Sequence, residues 1–207
     1  MTVPVVIVDD HALIASALSV ALRAEGVRAS VMAPHEIVGR LDEPAPPGGL
    51  VLLDLDLGDG LDGAALVPRL RRAGWRVLLV TGSADEIRVA LAVAAGAVGR
   101  VAKSAPFDQL VNAVVQVAQG RTLLADDERE RLRGLAGSAA GERAAVQTRF
   151  ARLTPRERQI ADLLAEGRRP AAIAAEFVVS VATVRTQVRS ILGKLEVRSQ
   201  LEAAALA

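Results

Sequence analysis

The sequence predicts an α/β fold, a five-stranded parallel doubly wound sheet, followed by a small all-α domain of four helices. Over residues 1–121, short β-branched runs alternate with amphipathic helical stretches. After residue 151, strand signals are almost absent and two capping boxes mark helix starts. Alternating strands and helices predict a parallel sheet because crossover helices join parallel strands and cover both faces. We therefore expect domains at 1–121 and 151–207, joined by a linker at 122–150.

Five apolar runs predict the strands of the first domain. They are Val3–Val8, Val27–Met32, Leu50–Leu53, Val77–Val80 and Val98–Ala102. Between them the apolar residues recur at helical spacing, which predicts the crossover helices. In sheets of this kind, functional groups collect where the strands end at their carboxyl edge.

The remaining elements are predicted from charge and capping signals. The sequence ADDERERLRGL predicts a short charged helix, and the small residues of GSAAGERAA predict an interdomain linker. Thr154-Pro155-Arg156-Glu157 and Ser199-Gln200-Leu201-Glu202 are capping boxes that begin the first and last helices of the second domain. Between them we expect a helix near Pro170–Phe177, a longer helix from about Val181 to Leu195, and a tight link.

Composition and charge exclude several classes of protein. The chain has 207 residues and no cysteine, which excludes disulfide scaffolds and thiolate metal sites, and His11 and His35 are too far apart to suggest a metal pair. Every uncharged run is far shorter than the roughly 20 residues that a membrane helix needs. We therefore expect a soluble, cytoplasmic protein with no membrane partner.

The formal net charge of +1 conceals a division along the chain. Residues 1–121 carry eleven Lys/Arg and thirteen Asp/Glu, residues 122–150 carry five of each, and residues 151–207 carry nine and six. The acidic excess therefore lies in the first domain, and the basic excess lies in the last.

Polar residues follow four of the predicted strands. Asp9 and Asp10 follow the first strand, Asp54 the third, Thr81 the fourth and Lys103 the fifth, so all five lie at one edge of the sheet. Converging carboxylates repel one another unless a cation joins them, and their hard oxygens favour Mg²⁺. A lysine and a hydroxyl opposite them could hold a phosphoryl group on an aspartate. Any one of these acids could instead simply cap the following helix.

At these residues the chain resembles a response-regulator receiver domain, through IVDDH, VLLDLDLGDGLDG, VLLVTGS and GRVAKSAP. The resemblance implies that Asp54 is the phosphoacceptor and that Thr81 and Lys103 contact the phosphoryl oxygens. It implies the following Mg²⁺ ligands: Asp9 through water, Asp10, Asp54 and the backbone carbonyl of Asp56. The implied phosphoryl donor is the phosphohistidine of a sensor histidine kinase.

Three positions depart from the receiver pattern. Leu57-Gly58 replace the family's Met-Pro in a loop that is one residue longer, Gly82 stands where Ala or Ser is common, and Arg100 replaces the family's aromatic switch residue. These departures keep open an atypical receiver that regulates DNA binding without phosphorylation.

A phosphatase is the enzymatic alternative. Asp54-Leu55-Asp56 after an apolar strand is similar to the DxD nucleophile of haloacid-dehalogenase-type phosphatases. That family, however, opens with this strand and needs an acidic pair beyond the lysine, whereas here the pair Asp9-Asp10 comes first. We therefore expect no enzyme.

The predicted helix Val181–Leu195 has an apolar face and a basic face. An apolar stripe of Val184, Val188, Ile191, Leu192 and Leu195 predicts its core side. Arg185 and Arg189 lie four residues apart with Thr186 beside them, so they project from one exposed flank. Arginines on a helix start capped by Ser180 suit the major groove of DNA, although a solvated basic flank explains the same pair.

The last segments, LTPRERQIADLLAEG, IAAEF and VSVATVRTQVRSILGKLEVRSQLEAAALA, resemble the LuxR-type helix-turn-helix. The resemblance implies base contacts by Arg185, Thr186 and Arg189. It implies positions nearer the phosphates for Thr183, Gln187 and Lys194. The final helix, Ser199–Ala207, matches the segment through which such domains pair as a homodimer on double-stranded DNA. The whole chain is thus similar to NarL/FixJ-class response regulators, two-component regulators of transcription.

Overall fold

The computed structural model describes residues 3–41 and 43–206, and the chain divides into two compact units, Met1–Gly137 and Ser138–Ala207. Met1, Thr2, Asp42 and Ala207 lie outside the described residues, so the predicted end of the last helix at Ala207 is not described. Each unit is described below by itself.

The first unit contains the five-stranded parallel sheet that the sequence predicts for the first domain. The strands are β1 (Pro4–Val8), β2 (Arg28–Met32), β3 (Leu50–Leu53), β4 (Arg76–Thr81) and β5 (Gly99–Ala102). Their order in the sheet is β2-β1-β3-β4-β5. The crossover helices and the helix after β5 are α1 (Ala12–Ala24), α2 (Pro34–Gly39), α3 (Gly63–Arg72), α4 (Glu86–Ala94) and α5 (Phe107–Ala118).

Helices cover both faces of this sheet. Because successive strand residues point to opposite sides, each strand packs against both layers of helices. On one face, Ile7 and Leu52 pack with Leu18 of α1 and Val114 of α5. On the other face, strand residues pack with α2, α3 and α4, for example Leu53 with Val67. All the residues named here are buried, which explains why β3 reads as an uninterrupted apolar run.

The second unit contains four helices after residue 154, as the sequence predicts. They are α7 (Pro155–Ala165), α8 (Pro170–Glu176), α9 (Val181–Leu195) and α10 (Gln200–Leu206). The hydroxyl of Thr154 accepts from the Glu157 amide while the Glu157 carboxylate accepts from the Thr154 amide, so the capping box that begins α7 is formed. The predicted apolar stripe of α9 lies in the core, since Val184, Ile191 and Leu195 are fully buried.

The segment 122–150 differs from its prediction. In place of a short helix and a linker of small residues, the structure contains one 26-residue helix, α6 (Asp126–Ala151). Alanine is the strongest helix former, and a glycine inside a helix costs only about 1 kcal/mol, so the small residues need not interrupt it. Leu132 and Ala136 are buried in the first unit, and Phe150 is buried in the second, which stabilises both ends of the helix.

Within residues 3–41 and 43–206, no single helix is both long and apolar enough to cross a membrane. Joined end to end, α8 and α9 would pass on length and composition, but the chain bends by 114° between them.

Candidate functional sites

The ends of the strands bring the predicted acidic residues together. The amide of Asp54 donates to the carbonyl of Val8 at 3.0 Å, so the end of β3 lies beside the end of β1. The amide of Lys103 donates in the same way to the carbonyl of Thr81 at 3.0 Å, beside β4. Parallel pairing thus places residues far apart in sequence at one edge of the sheet.

Lys103 is the cation at the centre of this edge. Its Nζ lies 2.6 Å from Oδ2 of Asp54 and 2.7 Å from Oδ2 of Asp9, and both carboxylate side chains are at most 5% exposed. Burial lowers the pKa of Lys103, but the hydrogen bonds and charges of Asp54 and Asp9 outweigh it and raise the pKa above its ordinary value. The lysine is therefore held in its charged form, facing two buried anions.

Asp54 has one oxygen left over. Its Oδ1 is buried and has no hydrogen-bond partner among the described residues. A buried carboxylate oxygen without a partner is costly, so such an atom indicates a ligand or a reaction. Oδ1 is therefore the atom of this cluster that is available to a metal ion or an incoming phosphorus atom.

The acidic cluster has the chemistry of a magnesium site. Ligand atoms from Asp9, Asp10, His11 and Asp54 all lie within 4.8 Å of one another. Carboxylate oxygens are the ligands that Mg²⁺ prefers, and three aspartates bring them together here, so the residues present fit this ion. His11 was not predicted here; its ring Nδ1 lies 2.6 Å from Asp10 Oδ1 and its amide donates to Asp9 Oδ1.

Thr81 is buried at the end of β4, and its Oγ1 accepts a hydrogen bond from the Ser83 amide at 3.0 Å. A hydroxyl can accept and donate at once, so its proton remains available to a second oxygen. This is the property that a phosphoryl contact by Thr81 requires.

The start of α3 is pressed against the acceptor strand. A Cβ on Gly63 would lie 2.0 Å from the carbonyl oxygen of Asp54, so only glycine fits there. The Gly63 amide donates to the Leu55 carbonyl at 2.9 Å, and Asp62 caps the helix through the Ala64 amide.

The Asp56 carboxylate forms an ion pair with an arginine of α4. Its Oδ1 lies 2.6 Å from Nη1 of Arg88 on α4, and the same guanidinium also binds Asp62. Arg88 was not among the site residues predicted from the sequence. A lone arginine in the apolar helix EIRVALAVA was the only signal, and nothing in the sequence indicated partners about 30 positions away.

Arg100, at the position of the family's aromatic switch, forms an ion pair instead. Its Nη2 lies 3.2 Å from Oε1 of Glu128 on α6. On the same helix, Arg131 binds Glu86 at the start of α4, and its hydrogen bond lowers the pKa of Glu86. Charged contacts therefore join β5 and α4 to the first turns of α6.

The predicted DNA-reading side chains lie on α9. Arg185, Thr186 and Arg189 are exposed, as are the neighbouring Thr183 and, in part, Gln187. The helix begins at Ser180, whose Oγ accepts from the Thr183 amide at 3.0 Å. The structure thus presents these groups on one short stretch of helix near its start.

Lys194 differs from the other predicted DNA contacts. Its Nζ lies 2.6 Å from Oε2 of Glu157, a buried residue of α7 that also accepts from Ser190. The hydrogen bond from Lys194 is the main reason that the pKa of Glu157 falls to about 2. Lys194 therefore ties α9 to α7, a role that its sequence position did not indicate.

Two protein-family models match this chain. Residues 5–115 match the model described as a response regulator receiver domain, and residues 151–207 match bacterial regulatory proteins of the luxR family. The two matches occupy most of the chain and flank α6.

Two curated proteins each match 75% or more of this chain. A probable transcriptional regulatory protein NarL of Mycobacterium tuberculosis is 33% identical over 98% of this chain and 92% of its own. A nitrate/nitrite response regulator protein NarL of Escherichia coli is 32% identical over 75% of this chain and 71% of its own. Among solved structures, a CheY-like receiver domain protein from Methanospirillum hungatei shares the fold with a TM-score of 0.50, at 23% identity over 63% of this chain and 98% of that one.

Proposed function

The chain belongs to the response regulators that join a receiver domain to a LuxR-type DNA-binding domain, and from that premise we propose that phosphorylation of Asp54 controls its dimerisation and DNA binding. It is a two-component transcriptional response regulator, and proteins of this kind are generally not enzymes. We assign the receiver to residues 1–121, the connecting segment to 122–150 and the DNA-binding domain to 151–207. Regulators of this architecture typically work in the cytoplasm, where we place this one.

One observation carries the phosphorylation proposal: Asp54 Oδ1 is buried with no partner among the described residues, while Lys103 holds Oδ2. In the proposed step, Oδ1 attacks the phosphorus of a sensor kinase's phosphohistidine. The new O–P bond forms as the P–N bond breaks, and the bonding electrons return to the imidazole nitrogen. Lys103 and Thr81 hold the phosphoryl oxygens, which places positive charge and a donated proton where negative charge accumulates.

We propose that Mg²⁺ is held by Asp10 and Asp54, by Asp9 through water and by the backbone carbonyl of Asp56. The ion would neutralise the phosphoryl oxygens and lower the repulsion between the donor and the acidic cluster. The chain's own part is to keep these oxygens converged, which Lys103 does by pairing with Asp9 and Asp54.

We propose that α9 reads double-stranded DNA as the recognition helix of a homodimer. Arg185, Thr186 and Arg189 would contact bases, while Thr183 and Gln187 would contact phosphates. Lys194 can reach a phosphate only with the two N–H bonds that its contact with Glu157 leaves. Support for pairing through α10 comes from Leu201, whose side chain is 82% exposed on that helix.

A second candidate, DNA binding regulated without phosphorylation, is favoured by the ion pair of Arg100 with Glu128. In that case a ligand, a partner or constitutive pairing would set the DNA affinity, and the state of Asp54 would not matter.

Treatment with a small phosphodonor and Mg²⁺ tests the proposal. We expect intact-mass analysis to show one added phosphoryl group on the wild type and none on Asp54→Ala. The phosphorylated wild type should bind its DNA as a dimer more tightly than Asp54→Asn. Equal modification of Asp54→Ala would contradict the chemistry, and equal DNA affinity of unphosphorylated wild type, phosphorylated wild type and Asp54→Asn would favour the second candidate.

A further inference from the structure

The segment 55–62, between β3 and α3, has an unusual backbone conformation. Three consecutive residues, Gly58, Asp59 and Gly60, have φ of 75°, 49° and 74°. Glycine accepts this left-handed region freely, but an aspartate there is uncommon and glycines lose more entropy on ordering than other residues. A cavity of about 420 Å³ opens beside the segment, between it and Asp10. Backbone hydrogen bonds close the turn, from the Leu57 amide to the Leu61 carbonyl at 3.3 Å and from the Leu61 amide to the Gly58 carbonyl at 2.9 Å, and Asp56 bridges to Asp62. All these bonds lie within the segment, so a contact from another helix adds a fixed point that the segment does not itself supply.

Arg88 supplies an anchor from outside the segment. Its Nη1 donates to Oδ1 of Asp56 at 2.6 Å, and its Nη2 and Nε donate to Oδ1 of Asp62 at 2.8 and 3.2 Å. Nη2 also donates to the carbonyl of Leu55. One guanidinium thus holds the beginning and the end of the segment together. Only a planar group with several fixed N–H directions can do so.

Charge favours the same arrangement. Asp56 and Asp62 would add two anions to an edge that already carries Asp9, Asp10 and Asp54. The Arg88 side chain is 24% exposed and contacts both carboxylates, whose side chains are 56% and 46% exposed, so it offsets their charges in part. The hydrogen bond to Asp56 is the main reason that the pKa of Arg88 stands above its ordinary value despite burial. Arg88 is therefore a cation at neutral pH.

We propose that Arg88 is a positioning residue for phosphotransfer: it clamps segment 55–62 so that the backbone of Asp56 is held at the metal-binding edge. The inference rests on the proposed role of Asp54 and extends it to a residue on a different helix. Arg88 itself touches neither the phosphoryl group nor the ion. Its effect is preorganisation, because an unclamped segment must be ordered each time that the ion binds.

Two substitutions of Arg88 distinguish the effect of its charge from the effect of its bridging geometry. Arg88→Gln removes both, whereas Arg88→Lys keeps the charge but cannot bind Asp56, Asp62 and the Leu55 carbonyl at once. Asp62→Asn keeps the oxygen that caps α3 and removes only the charge facing Arg88. Arg28→Gln is the matched control, since Arg28 is an exposed arginine on the edge strand β2.

The experiment is a Mg²⁺ titration of the full chain. Its two readouts are the rate of amide hydrogen exchange of residues 57–61 and the temperature of thermal unfolding, each measured at every Mg²⁺ concentration. We expect Arg88→Gln to raise the half-saturating Mg²⁺ concentration about tenfold, as lost outer-shell partners of metal ligands do. Arg88→Lys should lie between Arg88→Gln and the wild type, and Arg28→Gln should match the wild type. Combined with Asp62→Asn, Arg88→Gln should cause less than the sum of the two single effects, because both remove one contact.

A second measurement distinguishes positioning from a merely structural role. With saturating Mg²⁺, Arg88→Gln should take up a phosphoryl group at Asp54 within about threefold of the wild-type rate, the defect being confined to low Mg²⁺. Faster exchange of 57–61 with an unchanged Mg²⁺ requirement would overturn the proposal. If the wild type itself accepts no phosphoryl group, the proposed function fails, while the Mg²⁺ titration still decides the role of Arg88.

Discussion

At the acidic edge of the sheet, Asp9 and Asp54 are buried and both bond to Lys103, whose side chain is 12% exposed, whereas on α9 Arg185 and Arg189 are exposed. The first region holds its charges inside the protein and compensates them there. The second presents its arginines to solvent, and its Lys194, whose side chain is 34% exposed, pairs with the buried Glu157 of α7.

This difference follows from the ligand that each region is built to meet. A phosphoryl group and a small cation need groups fixed to within a fraction of an ångström, which burial and mutual bonding provide. A DNA duplex is large and brings its own charges, so the side chains that read it need reach, and the rigidity lies in the scaffold that carries them. Changes at the two regions should therefore act on different observables.

The largest expected effect distinguishes two lysines that pair with buried carboxylates, Lys103 and Lys194. Lys103→Met leaves Asp9 and Asp54 buried without a cation, and we expect the unfolding free energy of the first unit to fall by about 3 kcal/mol without Mg²⁺. Mg²⁺ should restore at least half of this loss. Fluorescence of Trp75, the single tryptophan of the chain, follows the first unit in urea unfolding.

Lys194→Met is the matched control, because it removes the partner of Glu157 in the second unit. Its destabilisation, followed by far-ultraviolet circular dichroism, should not respond to Mg²⁺. A Lys103→Met deficit that Mg²⁺ leaves unchanged would show that the acidic edge does not depend on cations in the way described here.

Arg185→Ala should weaken specific DNA binding by about 1–3 kcal/mol, the cost of one lost base contact, while the unfolding free energy stays unchanged. The probe is a duplex selected from random sequence by the wild type, and affinity is measured by fluorescence anisotropy at fixed salt. Arg143→Ala, which removes an exposed arginine from α6, is the control. Equal losses on selected and random duplexes would make Arg185 a phosphate contact.

Glu157→Gln should lower the unfolding free energy of the second unit by about 1–2 kcal/mol at neutral pH, since its carboxylate accepts from Lys194, Ser190 and Thr154. The pKa of Glu157 falls from 4.5 to about 2 in the folded state. Its contribution is therefore complete above pH 4.5 and is lost as the pH falls towards 2.

Urea unfolding at a series of pH values, followed by circular dichroism, tests this dependence. The wild type should lose stability between pH 4.5 and 2, and Glu157→Gln should lose less over the same range. Asp162→Asn, an exposed change on the same helix, should keep the wild-type slope. Identical slopes for wild type and Glu157→Gln would remove Glu157 from the account.

The smallest expected effect concerns the turns of the two regions. The acidic edge has Gly58 and Gly60 at positive φ, whereas the turn before α9 has Val178 at φ 53° with its side chain 90% exposed. A β-branched residue is strained there, so Val178→Gly should raise the unfolding free energy by about 0.5–1 kcal/mol. Val179→Gly, where φ is not positive, should lower it. Thermal unfolding measures both.

Much of the fold could be predicted because its signals are local. The strand β3 follows from the four apolar residues Leu50–Leu53, and α9 begins at the predicted residue because Ser180 caps it. The acidic edge was also predictable, since parallel strands bring their carboxyl ends to one side, and Asp54 and Lys103 need only follow β3 and β5 to meet.

Other features depend on distant contacts that a sequence pattern does not carry. The small residues at 137–145 predict a linker, yet burial of Leu132 and Phe150 helps to keep α6 helical on both sides of them. The sequence predicts that Lys194 lies near DNA phosphates and predicts no role for Arg88, because the partners of both lie about 30 positions away or more.

The sequence by itself determined the order of strands and helices, the acidic edge and the basic flank of α9, because periodicity, capping and strand-end residues act over a few positions. Only the tertiary structure decided which charges are paired inside the protein. Lys103 and Lys194 are the same residue type, but packing assigns one to two buried aspartates and the other to Glu157. Burial makes the choice, because the strength of an ion pair depends on the water that the rest of the fold excludes.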